Sequence, residues 1–178
     1  MQDFVHLHVH THYSLLDGQA SVSRLVDKAM KDGMKGIAIT DHGNMFGIKE
    51  FINYVSKKNK GLAPEERFKP IVGCEMYVAR RGKDKREGKQ DLGGWHLIVL
   101  AKNEKGYHNL IKLVSRAWTE GYYMHPRTDR QDLEKYHEGL IVCSACIGGE
   151  VPKKILNGQM EDAEEAVRWY KNLFGEDY

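Results

Sequence analysis

Four of the nine histidines stand at alternate positions in a stretch that runs FVHLHVHTHYSLLDG from Phe4 to Gly18. An extended strand points successive side chains to opposite faces, so a period of two is its signature. Residues 3–10 are therefore predicted to form an opening strand, with Phe4, His6, His8 and His10 on one face and Val5, Leu7 and Val9 on the other. The apolar face has to pack, and the other collects imidazoles about 6.6–7 Å apart. Neutral imidazole is the commonest metal ligand, so the spacing points to a metal site rather than to a plain core strand.

The rest of the chain alternates strand-like and helix-like runs. Ser21 or Ser23 can cap a helix carrying Val22, Leu25, Val26, Ala29 and Met30, which Gly33 ends. Apolar runs at 36–40, 70–79, 95–101 and 139–143 read as strands. Helical spacing recurs at Ile48, Phe51, Ile52 and Val55, at Leu110, Leu113, Val114 and Ala117, and over 160–174. Repeated β-α-β units with continuous apolar strands predict an α/β fold built on a mostly parallel sheet covered by helices. Arg80 to Gly94 interrupts the pattern with six basic and three acidic residues and is expected to be an exposed, mobile loop, though it could also touch phosphate.

Length and composition suit one soluble domain: 178 residues, 41% hydrophobic, 29% charged. Lys plus Arg number 27 against 25 for Asp plus Glu, so no general basic surface marks the chain for nucleic acid. No apolar run approaches a membrane span. The odd cysteine count (Cys74, Cys143, Cys146) favours a reducing, cytoplasmic compartment.

Ligand-capable residues gather at the strand ends. His6 and His8 come late on the first strand and Asp17 follows in its loop. Asp41 and His42 come just after the second strand, Glu75 lies in the third, His96 opens the fourth, and Cys146 follows the fifth. In parallel α/β architectures the carboxyl ends of the strands build the active site, which would bring these residues together. His96 fits least well, because it lies at its strand's start. Imidazole, carboxylate and one thiol suit Zn²⁺, Mn²⁺ or Fe²⁺ better than Ca²⁺ or Mg²⁺. Seven candidates exceed the four of a closed zinc site, which argues for more than one ion, as in phosphoester hydrolysis. Singly, each has a plain reading: His42 a bonded loop residue, Glu75 a lysine's partner, Cys146 a small buried residue. His10, His12 and Asp41 are supporting or substrate-contacting candidates. His108, His125 and His137 fall on polar segments and are not expected to ligate.

HLHVHTHYSLLDG, AITDHGNMFG, PIVGCEMYVA, WHLIVLAKN and LIVCSACIGGEVP, in that order, resemble the polymerase and histidinol phosphatase (PHP) domain. Within it they look like the branch at the amino terminus of the alpha subunit of bacterial DNA polymerase III. The resemblance implies a distorted (β/α)7 barrel over residues 1–178, with a metal cluster of up to three ions. Its ligands would be His6, His8, Asp17, His42, Glu75, His96 and Cys146. The family's set is completed by a later Asp-x-His pair, so a fragment truncated before its last strand is expected. The implied partners are DNA and other replication subunits, with self-association through an exposed sheet edge, and the implied activity is a phosphoesterase or proofreading 3′-5′ exonuclease. A scaffold within the polymerase and a stand-alone phosphatase are the alternatives.

Overall fold

The computed structural model describes residues 4–178. Helix α1 (Val22–Lys31) starts where Ser21 Oγ accepts the Arg24 N–H. It buries Val22, Val26 and Ala29, and the chain turns at Gly33 with φ of 80°. Strand β1 (Gly36–Ile39) is buried along its length, and α2 (Ile48–Lys58) packs Ile48, Phe51 and Val55 against it and α1 in one apolar cluster. Strand β2 (Lys69–Val78) and strand β3 (Trp95–Ala101) follow. Helix α3 (Glu104–Thr119) is capped by Asn103 and buries Leu110, Leu113, Val114 and Ala117. The two-residue β4 (Arg127–Thr128), α4 (Arg130–Tyr136), β5 (Leu140–Cys143), α5 (Glu150–Leu156) and α6 (Met160–Phe174) complete the chain.

The sheet is mixed, not mostly parallel. Its order is β1-β2-β3-β5, with β4 on β2. β1 and β4 run parallel to β2, whereas β2–β3 and β3–β5 are antiparallel. The linker between β2 and β3 holds no helix, only the 80–94 loop and a short 3₁₀ turn at Gly88–Asp91, so the right-handed parallel crossover has nothing to build it. Cys74, Met76, Val78, Leu97 and Val99 point from β2 and β3 into the main core against α3, α4 and α6. Glu75, Tyr77, His96 and Ile98 point to the other face, because residues two apart share a side.

The predicted opening strand is not a regular strand over 4–10; the chain bends at Leu7–His8. Ala38 N–H donates to His6 O and Thr40 N–H to Val9 O, so three steps on this segment match two on β1. One extra residue of this kind is a bulge, and it breaks the two-residue alternation of side chains. The 80–94 loop also differs from expectation. Its outer residues are exposed, but its base is tied down: Asp91 is buried and ion-paired to Arg81 at 2.7 Å, and Lys83 reaches Glu120 at 2.9 Å and also pairs with Asp132.

Candidate metal centre

The centre is organised around one carboxylate. Glu75 is 1% exposed and its two oxygens meet four imidazoles. Oε2 lies 3.0 Å from His8 Nε2, 2.9 Å from His10 Nε2 and 3.1 Å from His42 Nδ1, and Oε1 lies 2.7 Å from His96 Nδ1. Asp17 Oδ2 closes on His42 Nε2 at 3.3 Å. Cys146 Sγ stands at the margin, 3.6 Å from His96 Nδ1 and 3.8 Å from Glu75 Oε1.

Backbone pairing brings these groups together. Glu75 N–H donates to Asp41 O and Gly43 N–H to Glu75 O, so the β1–β2 pairing runs on past β1 and sets His42 beside Glu75. In the antiparallel β2–β3 register, Tyr77 faces His96 and Glu75 faces Ile98, which puts His96 diagonally across from Glu75 on the same face. The position of His96 at its strand's start therefore no longer counts against it: an antiparallel β3 begins where β2 ends.

The His8–Gly18 loop is held by Asp41, one of the expected supporting residues, and by two small hydroxyl side chains. Asp41 is buried and accepts from Thr11 N–H at 2.6 Å, Thr11 Oγ1 at 2.9 Å and Ser14 Oγ at 2.7 Å. Ser14 Oγ in turn takes the His42 N–H at 3.1 Å and touches His10 Nδ1 at 3.1 Å, which leaves His10 Nε2 to face Glu75. Thr40 Oγ1 accepts from Val9 N–H at 2.9 Å and fixes the bulged segment to β1. Gly18 closes the loop where a Cβ would lie 1.9 Å from Thr11 O, so no larger residue fits. Thr11 and Ser14 left a sequence signal only as small polar residues in the histidine stretch.

The bulge decides which histidines converge. His8 and His10 turn onto Glu75, with their Nε2 atoms 3.0 Å apart. His6 does not: its ring meets Phe4 edge-on at 4.8 Å and it lines a separate cavity of about 210 Å³ with Val9, Leu25 and Ile37. His12 packs on Tyr13 at 4.4 Å, outside the group. His125, set aside in the sequence, lies against Tyr77 at 4.6 Å, and the Tyr77 ring reaches His96 at 5.2 Å and His42 at 6.0 Å. Three non-glycine residues have positive φ among the described residues: Leu16, Met124 and Ala145. Each immediately precedes a residue at the centre or its rim, namely Asp17, His125 or Cys146. Such backbone costs about 1–3 kcal/mol per residue and persists where surrounding contacts fix it, often at functional sites.

The electrostatics follow from the crowding. Burial alone would raise the Glu75 pKa, but hydrogen bonding to His10, His8 and His96 outweighs it and holds the carboxyl well below the usual range. Burial likewise disfavours charge on His10, and Glu75 overcomes it, so His10 is raised above 6.5. His42 goes the other way, lowered chiefly by burial. Burial also pushes the Tyr77 phenol up to about 12.

The donor set fits a divalent cation. Three imidazole nitrogens approach the single oxygen Oε2, which offers about two lone pairs. His42 Nδ1 pays for this: it is buried and, despite its 3.1 Å approach, has no hydrogen bond of acceptable geometry. His8, His10 and Glu75 form one ligand-spaced triad, His10, Asp17 and His42 a second, and His42, Glu75 and His96 a third. Imidazoles sharing carboxylates in this way make a borderline-soft donor set rather than an oxygen-only cage.

The chain is similar to known proteins over nearly its whole length. DNA polymerase III subunit alpha of Borreliella burgdorferi is 50% identical over 177 residues, covering 98% of this chain and 15% of the relative. The proteins of the same name from Treponema pallidum and Aquifex aeolicus are 47% and 41% identical, over 98% and 99% of this chain and 14% and 15% of theirs. The chain thus spans about one seventh of the length of these relatives. A solved structure, of a candidate metal-dependent phosphoesterase from Bifidobacterium adolescentis, overlaps 66% of this chain and 34% of its own at 19% identity, with a TM-score of 0.45. The profile of the PHP domain matches residues 6–178, a span that takes in the whole Glu75 centre, and the chain belongs to the PHP-domain family.

Proposed function

We propose that the chain is the amino-terminal PHP module of a replicative DNA polymerase alpha subunit and that it holds divalent ions for phosphodiester hydrolysis. The observation that carries this reading is the convergence of His8, His10, His42 and His96 on buried Glu75, with His42 Nδ1 left without a partner. The ligands are His8, His10, Asp17, His42, Glu75 and His96, with Cys146 at the margin. His6, 4.8 Å from Phe4 in its own cavity, is the weakest of the sequence candidates. Zinc suits the donors best and manganese or iron are alternatives, with up to three ions in a complete domain. The (β/α)7 barrel belongs to the same proposal and rests on the family match over residues 6–178. Partners are then DNA and other replication subunits, and the compartment is the cytoplasm; no helix among the described residues is long and apolar enough to cross a membrane.

Bound divalent ions supply a more acidic water ligand and positive charge against phosphoryl oxygens. The chain's part is to fix the ligands. Asp41 and Ser14 orient the His10 ring, the β2–β3 register sets His96, and burial disfavours the charged form of His42. In a complete domain this chemistry is that of a 3′-5′ exonuclease acting on a primer terminus.

Zinc titration followed by metal analysis tests the reading. His10→Ala is expected to weaken zinc binding by about 100-fold or more, since even residues behind the ligands are worth 10–100-fold. His6→Ala is expected to leave it within about twofold. Equal losses in both variants would contradict the ligand set. Zinc affinity should also fall as pH drops through the range just above 6.5, because protons compete for His10, whose pKa is raised. A flat affinity between pH 5.5 and 7.5, read by competition with a chromophoric chelator at about 10 µM, would exclude imidazole ligands.

A further inference from the structure

We infer that Phe46, Trp118 and Tyr122 form a stacking platform for the unpaired bases of single-stranded nucleic acid beside the Glu75 centre. The inference rests on the hydrolytic reading of that centre and names where the strand lies. The three rings form a row: Phe46 and Trp118 are 6.2 Å apart, and Trp118 and Tyr122 are 5.6 Å apart and within 22° of parallel. All three are exposed, at 64%, 42% and 48%. Exposed aromatic rings in a row are costly to leave in water and offer π-faces that any base can cover.

The row is built into the metal-binding loop. Trp118 Nε1–H donates to Gly43 O at 2.7 Å, one residue from His42. Asn44 Nδ2–H donates to His42 O at 3.0 Å, and its Oδ1 accepts the Phe46 N–H at 3.1 Å. A nucleic-acid strand stacked on these rings lies along the segment that carries His42.

Charge selects the occupant. The otherwise near-neutral chain places its densest basic run, 80–94, against the end of α3. There Arg86 Nη2–H donates to Glu120 O at 2.8 Å, two residues before Tyr122. Lys85, Arg86 and Lys89 are exposed, and neither Arg86 nor Lys89 has an ion pair among the described residues. Aromatic rings flanked by unpaired cations match bases joined by phosphates, and they do so without reading sequence. An apolar protein partner would leave those cations unmatched.

The test is fluorescence titration of the chain with an oligothymidylate of about eight nucleotides, one site size for stacking proteins, in excess EDTA so that no hydrolysis occurs. Binding with quenching of tryptophan emission is expected. The Phe46→Ala/Tyr122→Ala variant should bind about tenfold or more weakly, and Tyr122→Trp should bind as well as the parent. Arg86→Ala/Lys89→Ala should flatten the salt dependence. Both aromatic residues are exposed, so their loss spares the core, and circular dichroism checks this. Unchanged affinity in the double aromatic variant overturns the platform, as does equal binding of blunt duplex. Self-association that disappears in that variant while oligonucleotide affinity stays fixed assigns the rings to a protein contact and also overturns it. Because binding is read with metal removed, failure of the hydrolytic reading leaves this test intact.

Discussion

Glu75→Gln is expected to abolish high-affinity zinc binding, with a loss of about 100-fold or more, while the chain stays folded. Glu75 touches His8, His10, His42 and His96 within 3.1 Å; like His10 and His42 it belongs to two of the three ligand-spaced triads, and it also contacts both histidines of the third. Removing an outer hydrogen-bond partner of a metal ligand already costs 10–100-fold in affinity, and a shared ligand is worth more. Glutamine keeps the size and removes the charge. Its amide also turns an N–H toward imidazoles that themselves carry N–H groups, so the replacement is electrostatically wrong as well as neutral. Hydrogen bonding to the histidines holds the Glu75 carboxyl well below its ordinary range, so the native residue is ionised at neutral pH. Isothermal titration with Zn²⁺ reads the affinity, and the far-ultraviolet dichroism spectrum reads the fold. Zinc affinity within threefold of the parent, about 0.6 kcal/mol, would remove Glu75 from the centre.

Most of this centre was legible from residue type and position. Glu75, His42 and His96 could be picked out because each sits in or beside an apolar strand, where a polar group needs a reason. The faces expected for His6 and His10 differ from those found because side-chain periodicity assumes an unbroken ladder. The single extra residue between the Ala38–His6 and Thr40–Val9 hydrogen bonds carries no mark in the sequence, yet it exchanges His6 for His10. The direction of β3 was equally hidden. An apolar run such as WHLIVLA reads the same in parallel and antiparallel sheets, and only the missing helix between residues 79 and 95 distinguishes them. The supporting groups were hardest to see. Thr11 and Ser14 matter because Asp41 is buried against them, a contact 27–30 residues away in sequence. His125 meets Tyr77 after a turn in which Met124 takes a positive φ, which its sequence does not announce.

Arg127→Leu is expected to be the most destabilising single change away from the metal centre. Arg127 is fully buried, and its guanidinium donates to three backbone carbonyls: Gly121 O at 3.0 Å, Asp91 O at 2.8 Å and Lys83 O at 2.8 Å. It thereby joins the 80–94 loop to the turn between α3 and β4, two segments that no strand ladder connects. Leucine would leave three carbonyls without their partner, each costing about 1–3 kcal/mol if it stays buried. Partial entry of water offsets some of this, so a net loss of about 3–5 kcal/mol is expected, the range for breaking a buried charged network. For a domain of this size that lowers the melting temperature by about 6–20 °C, at 2–4 °C per kcal/mol. Arg127→Lys should recover less than half, since one ammonium on a flexible stem cannot span three acceptors set around a planar fork. The same substitution should loosen the aromatic row, because Gly121 O is one residue from Tyr122, and the Tyr123 ring lies 5.4 Å from the guanidinium. Zinc affinity, by contrast, should change little, because Arg127 contacts none of the ligands. A melting temperature within 2 °C of the parent, read by calorimetry, would mean that the two loops are held by something other than this buried charge, and the Arg81–Asp91 and Lys83–Asp132 pairs would then be the anchors to remove next.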